Sequence, residues 1–202
     1  MVDFWTTLAS EAHSFSPLEV IAVLSAIAYL FLAIRQNIWC WLGAAISTAI
    51  YVYLFIVARL YMESVLNVFY FAMAIYGWHV WYAGRSGDRE LPVSIWPPRV
   101  HAVAIMTIGA ISITNGYVLA RFTDAAYPYV DSFTTWGAIW ATFLVARKVL
   151  ENWWYWLVID IASIAIYWAR DLHLTSLLFV VYVVMIPFGI RAWRRSWQEQ
   201  MA

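Results

Sequence analysis

Long apolar runs separated by short polar connections set the pattern of this chain. Seven runs reach the roughly 20 residues that a helix needs to cross a bilayer core. They fall near 17–34, 37–57, 62–83, 100–120, 131–148, 153–170 and 172–192. Strand-like alternation of apolar and polar positions is absent, so helices are the expected spanning elements. The pattern predicts an all-α membrane protein with seven transmembrane helices.

Polar residues inside these runs recur at helical spacing. In the sixth run Trp153, Trp156, Asp160, Ser163 and Tyr167 follow i, i+3, i+7, i+10, i+14, which is one helix face. In the third, Glu63, Asn67, Tyr70, Ala74 and Gly77 do the same. The second presents Trp41, Thr48 and Tyr51, and the fifth Asp131, Thr135 and Thr142. Lipid offers no hydrogen bonds, so such stripes are expected to turn inward onto one polar, aromatic-walled cavity.

Asp160 stands out among them, about eight residues from either end of its apolar run. An ionised carboxylate at that depth costs several kcal/mol unless compensated, which marks a substrate, ion or proton site. The competing reading is that a neighbouring hydroxyl or Trp N–H holds the acid for structural reasons. Other positions have similar alternatives. Trp39, Trp81, Trp153, Trp154 and Trp193 lie near predicted helix ends, where interfacial belts form. Intrahelical Ser and Thr commonly bond backbone, Gly77 and Gly189 suit close packing, and Glu63 and Asp131 lie near the outer boundary.

The chain also repeats. Asn37-x-Trp39-x-Trp41-Leu42 returns as Asn152-x-Trp154-x-Trp156-Leu157 at a spacing of 115. Further on, Leu60, Ser64, Leu66, Tyr70, Met73, Gly77 and Trp81 match Leu172, Ser176, Leu178, Tyr182, Met185, Gly189 and Trp193 at 112. The expected organisation is an N-terminal segment (1–16), repeat one (17–83), a loop and linker helix (84–130), repeat two (131–193) and a tail (194–202). Four spans separate equivalent helices, so both repeats point the same way through the membrane. This is a 3+1+3 parallel-repeat arrangement, similar to that of the SWEET sugar transporters, with a substrate site expected between the repeats near mid-membrane.

Composition agrees. The 202 residues are 64% hydrophobic, 19% aromatic and only 12% charged, about half the charge of a soluble domain. The formal net charge of zero gives no sign of nucleic acid. Cys40, the single cysteine, excludes an internal disulfide and a cysteine metal site. The first residues, MVDFWTTLASEAHSFSP, have no basic cluster and do not resemble a cleavable signal. Arg59, Arg121 and Arg170 fall on the N-terminal face; Arg35, Arg85, Arg89, Arg99, Arg147, Lys148, Arg191, Arg194 and Arg195 fall on the other. The positive-inside rule then puts the N-terminus outside and the C-terminus in the cytoplasm.

The chemistry suggested is recognition without catalysis. His13, His79, His101 and His173 are scattered, and no nucleophile elbow, phosphate loop or zinc motif occurs. Lys148, the only lysine, lies at a helix end, which argues against retinal-type photochemistry. No metal or cofactor is expected. Aromatic faces beside a carboxylate suit a flat cationic ring, and Asn67 can donate and accept along an amide edge. A proton-linked channel or exporter with Asp160 as relay, or a structural subunit, remains a competing class.

LYMESVLNVFYFAMAIYGWHVW (60–81) and ARKVLENWWYWLVIDIASIAIYW (146–168) carry a closer likeness. Tyr76-Gly77-Trp78 with Trp81, and Arg147-Lys148-x-x-Glu151-Asn152-Trp153, resemble the signatures of the Pnu family of bacterial vitamin transporters. That resemblance covers about Ile21 to Trp193. It implies a seven-helix, SWEET-like protein of the inner membrane, often a homotrimer, that moves an unphosphorylated vitamin by facilitated diffusion. A cytoplasmic kinase would trap the vitamin. Asp160 would bind the charged or amino-bearing ring, Asn67 its polar edge, Trp156 and Tyr70 would stack, and Tyr167, Tyr182 and Thr135 would form walls. Glu63, Asn152, Trp41, Thr48 and Ser163 complete the expected binding set. Asn67 and Asp160 replace the Gln and Asn common in nicotinamide riboside members. A carboxylate accepts well from an exocyclic amine, so thiamine is expected ahead of nicotinamide riboside.

Overall fold

The computed structural model describes residues 16–57, 61–85, 90–169 and 173–202. Among these residues it contains seven helices: α1 (Pro17–Ile34), α2 (Cys40–Val57), α3 (Tyr61–Ala83), α4 (Pro98–Phe122), α5 (Pro128–Ala146), α6 (Asn152–Ala169) and α7 (His173–Met201). Local chemistry sets their starts. Ser16 caps α1 in a reciprocal box with Glu19, which satisfies two otherwise orphaned amides. Pro17, Pro98 and Pro128 begin α1, α4 and α5, where a missing N–H costs nothing.

Four of the helices are long and apolar enough to span a membrane by length and composition: α1, α2, α4 and Thr175–Met201 of α7. The others are long enough, at 23, 19 and 18 residues for α3, α5 and α6. They are rich in Trp, Tyr and polar groups, which lower an average hydropathy without preventing burial. The segment expected as a tail, 194–202, is instead the helical continuation of α7 to Met201.

The chain divides into two compact units. The first holds the residues up to Pro92 together with Arg191–Ala202; the second holds Val93–Ile190. In the first, α2 packs on both α1 and α3. The Trp193 indole N–H donates to the Ala33 carbonyl at 2.9 Å, joining the end of α7 to the end of α1. In the second, α5 packs on both α4 and α6. The linker helix α4 is thus part of the second compact unit. It buries Ala104, Ile108, Ser112 and Gly116 at four-residue spacing, and Gly116 admits the Tyr129 ring.

Local geometry recurs at a single offset. α2 and α6 have equal lengths and start at Cys40 and Asn152, 112 residues apart. α1 and α5 each end in a turn closed by a non-glycine residue at positive φ, Gln36 at 57° and Lys148 at 48°. Gln36 and Asn37 donate to Ala33 and Leu32; Lys148 and Val149 donate to Val145 and Leu144. Both are Schellman closures. The Ser64 hydroxyl donates to the Val52 carbonyl and that of Ser176 to Ile164, both at 3.2 Å. Gly77 meets the Trp41 ring, and Gly189 meets Trp153.

The 115-residue spacing inferred from the Asn-x-Trp-x-Trp block is therefore corrected. Trp41 corresponds to Trp153 rather than Trp156, and Thr48, not the Ala45 that a spacing of 115 selects, stands where Asp160 does. The second helix starts at Cys40, not 37, because Ile38 and Trp39 belong to the turn that leads into it.

Candidate functional site

α6 sorts its side chains by face. Asp160 is 3% exposed, and Trp153 and Ser163 are also buried. Trp156 and Tyr167 are half-buried. Trp154, Val158, Ile161 and Trp168 on the other side are more than half exposed. The stripe expected from spacing is the inward face. On α3 the same division holds, with Ala74 and Gly77 buried, Asn67 and Tyr70 half-buried, and Val65, Val68 and Ile75 exposed. The Glu63 side chain lies outside the described residues.

Asp160 Oδ1 is sealed from solvent, and among the described residues no donor reaches it. Neither a hydroxyl nor a Trp N–H holds that oxygen, so the structural reading of this acid loses its main support. A buried carboxylate oxygen without a partner is costly in hydrocarbon and is a natural acceptor for a ligand donor. One turn on, the buried Ser163 shares its face. At Asp160's counterpart in the first unit the situation differs. The Thr48 hydroxyl donates to the Ala44 carbonyl of its own helix at 2.8 Å. Thr142 likewise donates to Ala138 at 2.7 Å. Both hydroxyls are satisfied internally, as intramembrane threonines often are. Thr135, on the same helix as Thr142, is half-buried.

In the second unit α6 and α7 build an aromatic wall. The Tyr167 ring stacks on Phe179 at 5.3 Å, and Phe179 meets Tyr182 edge-on at 5.6 Å. Sequence reasoning named the two tyrosines but missed Phe179 between them. The available signal was its spacing of three residues before Tyr182, which places both on one face of α7. In the first unit Tyr70 has an edge contact with Phe69 at 5.7 Å.

Two further expected binding residues, Asn152 and Trp41, are buried in packing contacts, and each keeps a buried polar atom, Asn152 Oδ1 and Trp41 Nε1, with no partner among the described residues. Asn152 is fully buried at the start of α6, where its Nδ2 donates to the Val149 carbonyl at 2.7 Å. Eight residues separate it from Asp160, about 12 Å along the helix. Trp41 is also buried, against Gly77 and edge-on to Trp81 at 5.5 Å. The interfacial-belt reading divides as well: Trp39 and Trp154 are each 56% exposed, whereas Trp81, Trp153 and Trp193 are buried.

A polar cluster that sequence did not reveal ties α4 to α6. His101 Nδ1 and the Tyr155 hydroxyl are hydrogen-bonded at 3.0 Å. His101 Nε2 lies 3.9 Å from Glu151, whose carboxylate also accepts from the Trp96 amide at 3.4 Å. Ser94 bridges in parallel to Val149, which holds the segment before α4 against the start of α6. Among the described residues no group of three or more His, Cys, Asp and Glu could hold a metal ion.

Comparison with known proteins adds a family. The family described as "Nicotinamide mononucleotide transporter" matches residues 16–195. The nicotinamide riboside transporter PnuC of Escherichia coli (strain K12) is 25% identical, over 96% of this chain and 91% of that protein. The riboflavin/roseoflavin transporter RibM of Streptomyces davaonensis is 23% identical, over 81% of this chain and 78% of its own length. A crystal structure titled as the vitamin B3 transporter PnuC superposes with a TM-score of 0.74 at 20% identity. It covers 96% of this chain and 90% of the other, a likeness of fold. The relatives' names carry nicotinamide riboside and riboflavin, not thiamine. The expected order of substrates, thiamine first, is therefore withdrawn.

Proposed function

Because the chain belongs to the nicotinamide mononucleotide transporter family, a family of multi-pass membrane transporters, we propose that it takes up nicotinamide riboside by facilitated diffusion. The observation that carries this reading is the buried, unpartnered Oδ1 of Asp160 in the middle of α6. Nicotinamide riboside has a fixed positive charge on its ring and a carboxamide that donates two hydrogen bonds. A carboxylate complements both. The mononucleotide would add a phosphate of about −1.5 to −2 charge, which Asp160 repels. Riboflavin is neutral, so it gains hydrogen bonds from the acid but no charge attraction. A carboxylate accepts from the carboxamide of nicotinamide riboside as well as from the exocyclic amine of thiamine, and the E. coli relative tips the choice.

In this proposal Asp160 accepts from the substrate, Ser163 supports it, and the Tyr167–Phe179–Tyr182 wall packs the ring. On α3, in the first unit, Asn67 and Tyr70 are half-buried. The 3+1+3 parallel repeat, a C-terminus in the cytoplasm, a homotrimer and trapping by a cytoplasmic kinase belong to the same reading. The recurrence at 112 residues supports the repeat and the arginine distribution supports the orientation, whereas the homotrimer and the kinase rest on the resemblance to the Pnu family alone.

The test is a binding titration of purified protein with nicotinamide riboside, its mononucleotide, riboflavin and thiamine. Hydrogen bonds to a charged group contribute about 1.5–3 kcal/mol, so Asp160→Ala and Asp160→Asn should weaken riboside binding roughly ten- to a hundredfold. Unchanged affinity in both variants refutes the site. Counterflow in vesicles without a pH gradient is expected; strict dependence on a gradient refutes facilitated diffusion.

A further inference from the structure

A groove of about 470 Å³ runs along the second unit between α4 and α5. Its floor is Val100, Val103, Ala104, Thr107 and Ile108 from α4, with Trp140 from α5 at its side and Arg99 at its end. The α4 residues follow helical spacing, so they form one continuous stripe rather than scattered patches. From Arg99 to Ile108 that stripe is about 14 Å long at 1.5 Å per residue. Half of a bilayer core is about 15 Å. The groove is therefore one leaflet deep, charged at one end and apolar below.

Arg99 is exposed and has no acidic partner among the described residues. It sits in the first turn of α4, where backbone amides lack intrahelical acceptors and the helix dipole favours an anion. Trp96, just before the helix, lies edge-on to Trp140 at 6.1 Å. Paired indoles beside an arginine mark the headgroup level of a membrane protein. Arg99 also lies on the arginine-rich face, which the proposed orientation places in the cytoplasm, where anionic lipids attract basic side chains.

We propose that this groove is a binding site for one anionic phospholipid of the cytoplasmic leaflet, its phosphate on Arg99 and one acyl chain along the α4 stripe. The site is separate from the vitamin site, and its occupancy does not depend on which vitamin is carried. Of the proposed function, only the orientation enters here, through the choice of leaflet.

The test uses the full chain purified in detergent and incubated with equal amounts of phosphatidylglycerol and phosphatidylcholine, with retained lipid counted by native mass spectrometry in the absence of vitamin. The protein is expected to retain one phosphatidylglycerol in preference. A single arginine near a membrane surface is worth about a fivefold preference, so Arg99→Gln should remove that preference while leaving a bound lipid. Thr107→Phe, on an exposed position of the groove, should expel lipid of either kind. Arg147→Gln, exposed but outside the groove, should leave retention unchanged. Equal retention of both lipids by the unaltered protein overturns the proposal, as does full selectivity in Arg99→Gln. Retention that survives Thr107→Phe while the oligomer mass changes would mean that a second copy covers the groove, and also overturns it. Thermal unfolding of each variant separates loss of lipid from loss of fold.

Discussion

Gly189→Ala tests the packing on which the second unit depends. A Cβ at this position would meet three atoms of the Trp153 indole, all closer than real Cβ atoms approach. Trp153 is itself 2% exposed and has little room to retreat. Overpacking of this kind costs about 1–3 kcal/mol, offset by about 0.8–1.0 kcal/mol of helix propensity gained on replacing glycine. The net expectation is roughly 0–2 kcal/mol of destabilisation. Gly109 on α4 is the internal control, because a Cβ there meets nothing within 4 Å. Gly109→Ala should therefore stabilise by about 0.8–1.0 kcal/mol. Unfolding of the purified protein in mixed micelles by rising SDS, followed by tryptophan fluorescence, should place the two midpoints on opposite sides of the parent. Adding Trp153→Leu should rescue Gly189→Ala, with a coupling energy above about 0.5 kcal/mol. Equal stabilisation by both alanines, or strict additivity of the double variant, would refute the close approach of ring and glycine.

Three further outcomes are expected. Trp193→Phe removes an indole donor to the Ala33 carbonyl, but the Gln36 amide also donates there, so the loss should be about 1 kcal/mol rather than the cost of an orphaned group. Ser64→Ala and Ser176→Ala each delete an interhelical bond of 3.2 Å; the same unfolding assay should give about 0.6 kcal/mol for each, and a large difference would argue against their equivalence. Tyr155→Phe breaks the bond to His101 and should cost about 1 kcal/mol; if the proposed site at Asp160 holds the riboside, its affinity should stay unchanged in a binding titration.

The helices and their inward faces were legible in the chain itself. Length of apolar run and the spacing of Trp153, Asp160, Ser163 and Tyr167 follow from the period of the α-helix, which operates whatever the helix packs against. The depth of Asp160 was legible for the same reason. The register of the repeat was not. Asn-x-Trp-x-Trp matched at 115 because an aromatic-rich alphabet offers near-coincident alignments, whereas the 112 offset rests on which indole enters which glycine notch. That is a property of shape in three dimensions. Burial of Trp81, Trp153 and Trp193 beside exposure of Trp39 and Trp154 has the same origin, since hydropathy cannot distinguish a lipid neighbour from a protein one. Nor could sequence say whether Asp160 had a partner. Only the tertiary structure decided that: among the described residues it brings no donor to the buried Oδ1, because donors arrive through packing, not through spacing along one helix.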